Sequence, residues 1–195
     1  MAVSGFDRDI ILASSSPRRR ELMALSGIPF KVFAADADEA CQGPPQERVM
    51  TIGQRKALAA ALHFPDRLIL AADTLVYADG QVLGKPSSAE DARRMLKLLS
   101  GRAHQVYTGV CLMHGPAKQA DTRFDQTDVI FSVLLDEDIE GYVLSGEPMD
   151  KAGAYALQGM GGMFVEGIRG SYSNVIGLPM ALVKKMLLDN GFKIF

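Results

Sequence analysis

The alternation of strand and helix signals along the chain predicts a mixed α/β fold. Two local features support it. The continuous apolar run Leu68-Ile69-Leu70-Ala71-Ala72 has the character of a strand buried on both faces. Asp79-Gly80, set between Leu75-Val76-Tyr77 and Val82-Leu83, is a strong hairpin signal. The elements are expected to split into two lobes.

Taken in order, Ile10-Ile11-Leu12-Ala13 reads as a short buried strand and Glu21-Leu22-Met23-Ala24-Leu25 as a helix. Ser16 suits the N-cap of that helix, Pro17 its first position and Gly27 its end. Phe30–Ala34 alternates like a strand, and Asp36-Ala37-Asp38-Glu39 forms an acidic loop. After the break at Pro44-Pro45, a long helix runs from Gln46 to about His63, alanine-rich in its second half. Ser88, followed by Asp91, starts a helix whose apolar face is Met95, Leu96, Leu98 and Leu99, and Ser100-Gly101 ends it. Strands are expected over Gln105–Met113 and Thr127–Leu134; in the second, Val129, Phe131 and Val133 alternate with Asp128, Ile130 and Ser132. Asp136–Leu144 reads as a helix opening on acids, as the helix dipole prefers. The glycine-rich stretch from Gly146 to Gly177 changes direction often, and a helix from Pro179 to about Asn190 closes the chain.

The 195 residues suffice for one sizeable domain or two small lobes, and 48% hydrophobic with 23% charged residues is ordinary for a soluble globular protein. A net charge of -2 argues against a general nucleic-acid or acidic-membrane binder. Cys41 and Cys111 form no CxxC pair and no zinc spacing, so free thiols in a reducing compartment are expected. The segment Met1–Asp7 lacks a signal-peptide core, and no apolar run approaches the ~20 residues of a membrane span. A cytoplasmic protein is the expectation.

The densest chemistry lies in Ser14-Ser15-Ser16-Pro17-Arg18-Arg19-Arg20. Arg18 and Arg19 fall in a first helical turn, where cations face the positive end of the dipole at a cost of ~0.3–1 kcal/mol each. A bound anion reverses that sign: free N–H groups, serine hydroxyls and guanidinium groups at one strand-to-helix turn make a phosphate cradle. The bland alternative is an exposed basic helix start. Asp73, directly after the apolar run, stands where α/β proteins place metal ligands and general bases, and it reads equally as a turn cap. Glu39, beside Asp38, offers a second loop carboxylate or a plain surface charge; two carboxylates with phosphate oxygens and waters are how Mg²⁺ is generally held. Lys85, restricted by Pro86, and Lys56 on the long helix read as phosphate contacts or as solvated lysines. Gln158, at the end of Asp150–Gly159, carries both donor and acceptor and suits the edge of a base; the same span reads as a tight turn with an Asp150–Lys151 surface pair. There is no phosphate-loop motif, no GxGxxG, no HExxH and no GxSxG. Arginines, lysines and acids remain, a set suited to metal-assisted attack on a phosphate.

These segments, in their order from about Ile11 to Leu182, resemble the Maf family of nucleoside triphosphate pyrophosphatases. The carriers are Leu12–Arg19, Asp38-Glu39, Ala72–Val76, Gly84-Lys85-Pro86, Ser100-Gly101, Tyr107–Val110, Asp150–Tyr155, Gln158-Gly159 and Val175–Pro179. The resemblance implies a single domain over residues 1–195, with a mixed elongated sheet flanked by helices and two lobes with a cleft between them, related to the inosine triphosphate pyrophosphatases. It implies a nucleoside triphosphate substrate cleaved to monophosphate and pyrophosphate, a divalent metal (Mg²⁺ or Mn²⁺) and a homodimer. Pro17-Arg18-Arg19, Asp73-Thr74 and Gln158 resemble the dTTP/UTP branch; the sister branch linked to 7-methyl-GTP has Trp-Arg-Arg, Asp-Gln and Glu at those places.

On this basis Ser14, Arg18, Arg19, Lys56, Thr74 and Gln158 are expected to bind substrate, Glu39 and Asp73 to hold the metal, and Asp73, Lys85 and Glu39 to act in catalysis, with Asp73 as general base. A pyrophosphatase of 7-methyl-GTP or another modified nucleotide and a non-enzymatic nucleotide-binding regulator of septum formation are the alternatives.

Overall fold

The computed structural model describes residues 9–115 and 120–194; the segment Met1–Asp7, read above for a signal peptide, lies outside the described residues. In chain order the elements are β1 (Ile10–Ala13), α1 (Pro17–Leu25), β2 (Phe30–Phe33), α2 (Pro45–His63), β3 (Leu68–Ala78), β4 (Gln81–Leu83), α3 (Ala89–Leu99), β5 (Ala103–His114), β6 (Asp121–Phe131), α4 (Asp136–Leu144), β7 (Val165–Arg169), α5 (Tyr172–Ile176) and α6 (Met180–Asp189). Short 3-10 turns occupy Glu147–Asp150, Ala152–Ala154 and Met160–Phe164. The strands form one mixed sheet in the order β2-β1-β3-β5-β6-β7, with β4 paired to β3. β1 runs parallel to β2, with Ile10 opposite Phe30, and parallel to β3, with Ile11 opposite Ile69. β3–β4 and β6–β7 are antiparallel. No helix among the described residues is long and apolar enough to cross a membrane.

The chain divides into two units. The first comprises Met1–Asp73, Thr108–Asp125 and Gly177–Phe195, and the second Thr74–Tyr107 and Gln126–Ile176. In the first, all four residues of β1 are buried, and the side chains of Ile10, Ile11 and Leu12 are each worth about 1.5–3 kcal/mol. Ala57, Ala60 and Ala61 of α2 pack with Ile11, Ala13, Ile69, Ala71, Cys111 and Met113, which explains the alanine-rich second half of the helix. α2 lies against β5 so closely that a Cβ at Gly109 would stand 2.4 Å from the Val49 carbonyl. Burial pushes the Cys111 thiol up to about 11, so it behaves as a small core hydrophobe.

The second unit has its own core. Ala92, Met95, Leu96 and Leu99 form the buried face of α3, and the Ser88 hydroxyl caps that helix by accepting the Asp91 N–H at 3.1 Å. The helix packs with Phe131, Ile139, Tyr142, Tyr155 and Phe164. His104 sits within these aromatics, its Nε2 2.8 Å from the Tyr155 hydroxyl and its ring edge-on to Phe131, and burial pushes it down to about 4.

Three expectations are corrected. The apolar run does not end at Ala72: β3 continues to Ala78, absorbs the first half of the hairpin, and places Asp73 inside a strand rather than beyond its end. Strand propensity disfavours an Asp there, and pairing of its carboxylate offsets this, as described below. The strand expected over Thr127–Leu134 runs instead over Asp121–Phe131. Its early half is polar, held by Arg123 on Asp121, and so lacks apolar alternation. After Phe131 the backbone leaves the ladder: Ser132 N–H donates to the Phe164 carbonyl and Leu134 N–H to the Ser100 hydroxyl, leaving Val133 77% exposed. Within the glycine-rich stretch, for which no strand or helix was expected, β7 and α5 form.

Candidate active site

The turn between β1 and α1 is built by serines. Ser16 caps α1, its hydroxyl accepting the Arg19 N–H at 3.4 Å, and the buried Ser14 hydroxyl accepts the Ser16 N–H at 3.2 Å. Pro17 supplies the first helical residue, and no acid occupies the first turn. The Arg19 guanidinium folds back over this turn, donating from Nε to the Gly177 carbonyl at 2.7 Å and from Nη1 to the Ser14 hydroxyl at 3.3 Å. Burial holds Arg19 below its ordinary value; Asp73 opposes this, Arg18 adds to it and Glu39 opposes it. The guanidinium stays charged regardless. Arg18 is half-buried, whereas Arg20 is exposed.

Two acids meet on one ammonium. Lys56 Nζ lies 2.8 Å from Asp73 Oδ1 and 2.6 Å from Glu39 Oε1, and its side chain is only 12% exposed. Helix spacing explains the reach. Gly53, one turn before Lys56, faces Gly109 and the Asp73 backbone with no side chain between, so α2 runs close to the strands. Glu39 comes from an irregular segment fixed by Arg55, whose Nη1 donates to the carbonyls on either side of Glu39: Asp38 at 3.1 Å and Ala40 at 2.7 Å. The Asp38 carboxylate accepts the Ala40 N–H at 2.9 Å.

Among the described residues, no group of three or more His, Cys, Asp and Glu is placed to hold a metal ion by itself. Glu39 and Asp73 supply hard oxygen donors side by side, which suits a divalent cation that takes its remaining ligands from phosphate and water.

In the second unit, Thr74 follows Asp73 along β3 and Lys85 is exposed beside the buried Pro86. The corner is anchored by the Gly84 carbonyl, which accepts the Gly153 N–H at 3.0 Å. Asp150 and Lys151 pair with each other. Gln158 is exposed, on a turn whose backbone is tied to Glu147: the carboxylate accepts N–H groups from Met160 at 3.0 Å and Gly161 at 3.1 Å.

Residues 9–190 match the family model described as "Maf-like protein". The chain belongs to the Maf family. Among curated Maf-region relatives, the dTTP/UTP pyrophosphatase of Moorella thermoacetica is 46% identical over 188 residues, covering 95% of this chain and 97% of its own. That of Pelotomaculum thermopropionicum is 44% identical over 189 residues, covering 96% and 99%. That of Anaeromyxobacter dehalogenans is 48% identical over 188 residues, covering 94% of each. Two solved structures share the fold: the Ham1 protein of Staphylococcus aureus (TM-score 0.51, 13% identity, 94% of this chain and 100% of that one) and a HAM1 protein from Coxiella burnetii (TM-score 0.52, 14% identity, 93% and 98%).

In this Maf chain, the first unit brings together Ser14, Arg18, Arg19, Glu39, Lys56 and Asp73, and the second carries Thr74, Lys85 and Gln158. Lys56 is no solvated lysine, since it bridges both acids. Sequence reasoning missed Arg55 and Glu147. Both act on backbone carbonyl or N–H groups, which no side-chain motif displays. The one available signal for Arg55 is its adjacency to Lys56 on α2.

Proposed function

We propose that this Maf protein hydrolyses dTTP and UTP to the monophosphate and pyrophosphate by attack of water on the α-phosphorus. The observation that carries the reading is the meeting of Glu39 and Asp73 on Lys56, with the Arg19 guanidinium electrostatically coupled to both acids. The extensive identity to proteins named dTTP/UTP pyrophosphatase supports the choice of substrate.

Arg18, Arg19 and the Ser14 turn bind the triphosphate at the N-terminus of α1, whose first turn carries no acid. Lys56 fixes the Asp73 carboxylate at one oxygen, leaving the other for a water molecule. Asp73 takes the proton as the water oxygen bonds to the α-phosphorus. The bond from the α-phosphorus to the bridging oxygen breaks, and pyrophosphate leaves with that electron pair. Lys56 and Lys85 offset the charge that grows on the leaving oxygens. Glu39 and Asp73 would hold a divalent cation, Mg²⁺ or Mn²⁺, directly or through water, and it would further neutralise phosphate charge. Thr74 and Gln158 read the base, because an amide can pair with both the carbonyl and the N–H of thymine or uracil. Residues 1–195 work as one Maf domain in a cytoplasmic homodimer, with no nucleic-acid or membrane partner.

A pyrophosphate-release assay with dTTP, UTP, dCTP, dGTP and 7-methyl-GTP, in Mg²⁺ and in Mn²⁺, tests the reading. Preferred turnover of dTTP and UTP is expected. Preference for 7-methyl-GTP would move the protein to the sister specificity. Tight binding without pyrophosphate release would leave a nucleotide-binding regulator of septum formation.

A further inference from the structure

Gln158 occupies an awkward place for a residue that must discriminate between bases. It is exposed, and Gly159, Gly161 and Gly162 follow it closely, so the local chain has little stiffness of its own. A single carboxylate supplies what the glycines lack. Glu147 begins the 3-10 turn Glu147–Asp150 just after α4, and its Oε2 accepts the Met160 N–H at 3.0 Å while its Oε1 accepts the Gly161 N–H at 3.1 Å. Oε1 also accepts the hydroxyl of the buried Tyr142 at 2.9 Å. That hydroxyl in turn accepts the Ala156 N–H at 3.3 Å. The backbone is thus fixed on both sides of Gln158: before it at Ala156 through Tyr142, and after it at Met160 and Gly161 through Glu147.

The glycines are required by this arrangement. Gly159 adopts φ +139°, and a Cβ there would lie 2.6 Å from Glu147 Oε1. A Cβ at Gly161 would lie 2.6 Å from the Tyr142 hydroxyl. Burial pushes the Glu147 carboxyl up, but the bonds from Met160, Gly161 and Tyr142, together with the Lys151 charge, outweigh it and hold the group below its ordinary value. An ionised carboxylate is the form that can accept from several donors at once.

We propose that Glu147, acting with Tyr142, is a positioning residue that orients Gln158 for base selection. The proposal rests on the reading of Gln158 as the residue that recognises thymine or uracil. Glu147 touches no base itself; it sets the direction in which the Gln158 amide leaves the backbone.

The test compares Glu147→Gln, Tyr142→Phe, Gln158→Ala and the double variant Glu147→Gln/Gln158→Ala in the full-length protein. Amide hydrogen exchange is read at Met160 and Gly161, with Leu96 of α3 as a core reference, and kcat and KM are measured for dTTP, UTP and dCTP. In Glu147→Gln the side-chain amide cannot accept at both oxygen positions, so exchange at Met160 and Gly161 should rise about tenfold while Leu96 is unchanged. Discrimination for dTTP and UTP against dCTP should fall about tenfold, chiefly through KM. The double variant should discriminate no worse than Gln158→Ala alone, since both changes remove one function. Tyr142→Phe keeps the ring in the core and should show the same pattern to a smaller degree.

Faster exchange with unchanged discrimination would overturn the proposal, as would an equal loss of turnover on every nucleotide. If Gln158→Ala itself keeps full discrimination, the base-reading assignment fails on its own. A loss in Glu147→Gln would then show that the carboxylate acts by a route other than Gln158, which also overturns the proposal.

Discussion

Asp73 shows how much one side chain can depend on its partner. A carboxylate in the middle of a strand is disfavoured by propensity, and it is 14% exposed here, yet Lys56 meets it at 2.8 Å and removes the cost of an isolated buried charge. Asp73→Asn preserves the shape and one acceptor oxygen for Lys56. It should therefore cost about 1 kcal/mol of stability. It should lower kcat for dTTP by about 10²–10⁴-fold, the usual worth of a positioned general base. Circular dichroism and steady-state kinetics on the same preparation separate the two effects; near-normal turnover would remove Asp73 from the chemistry. At this scale the sequence was partly legible. Arginines in a first helical turn announce an unanswered charge whatever the fold. Lys56 does not, because its neighbours Glu39 and Asp73 are distant in sequence and only the path of α2 unites them.

Elements were legible where burial is one-sided or complete. The apolar face of α3 and the continuous run in β3 were read correctly because water is excluded from all or one side of them. Boundaries failed where a polar residue entered a strand for a reason outside it. Asp73 in β3 and the Asp121–Arg123 pair in β6 each look like punctuation until their partners are known. The packing of α2 on β5 depends on one missing side chain. At Gly109 an added Cβ would meet the backbone of Val49 at 2.4 Å and of Met50 at 2.7 Å, and backbone cannot rotate aside. Gly109→Ala should destabilise the protein by about 1–3 kcal/mol or more. Because the displaced helix carries Lys56, it should also raise KM for dTTP. Thermal unfolding and kinetics check both; an unchanged melting temperature would mean that α2 relaxes freely.

At the scale of the whole molecule, the core of the second unit holds a titratable group that contributes to the response to acid. His104 is buried among Phe131 and Tyr155 and is pushed down to about 4, from 6.5 in an unfolded chain. As pH falls, the unfolded chain takes up this proton first. The contribution is therefore complete above about 6.5 and is lost progressively toward about 4, amounting to about 3 kcal/mol across that window. Urea unfolding at pH 7 and pH 4.5 should show the loss. His104→Gln, which can still reach the Tyr155 hydroxyl, should flatten it; an equally steep variant would assign the acid response to the carboxylates alone.

The basic start of α1 has a thermal corollary. Arg18 and Arg19 stand at the positive end of its dipole and no acid lies in its first turn, so a bound polyanion adds favourable charge there. Inorganic pyrophosphate, a bare skeleton of the leaving group with no base to read, should therefore make the fold harder to melt.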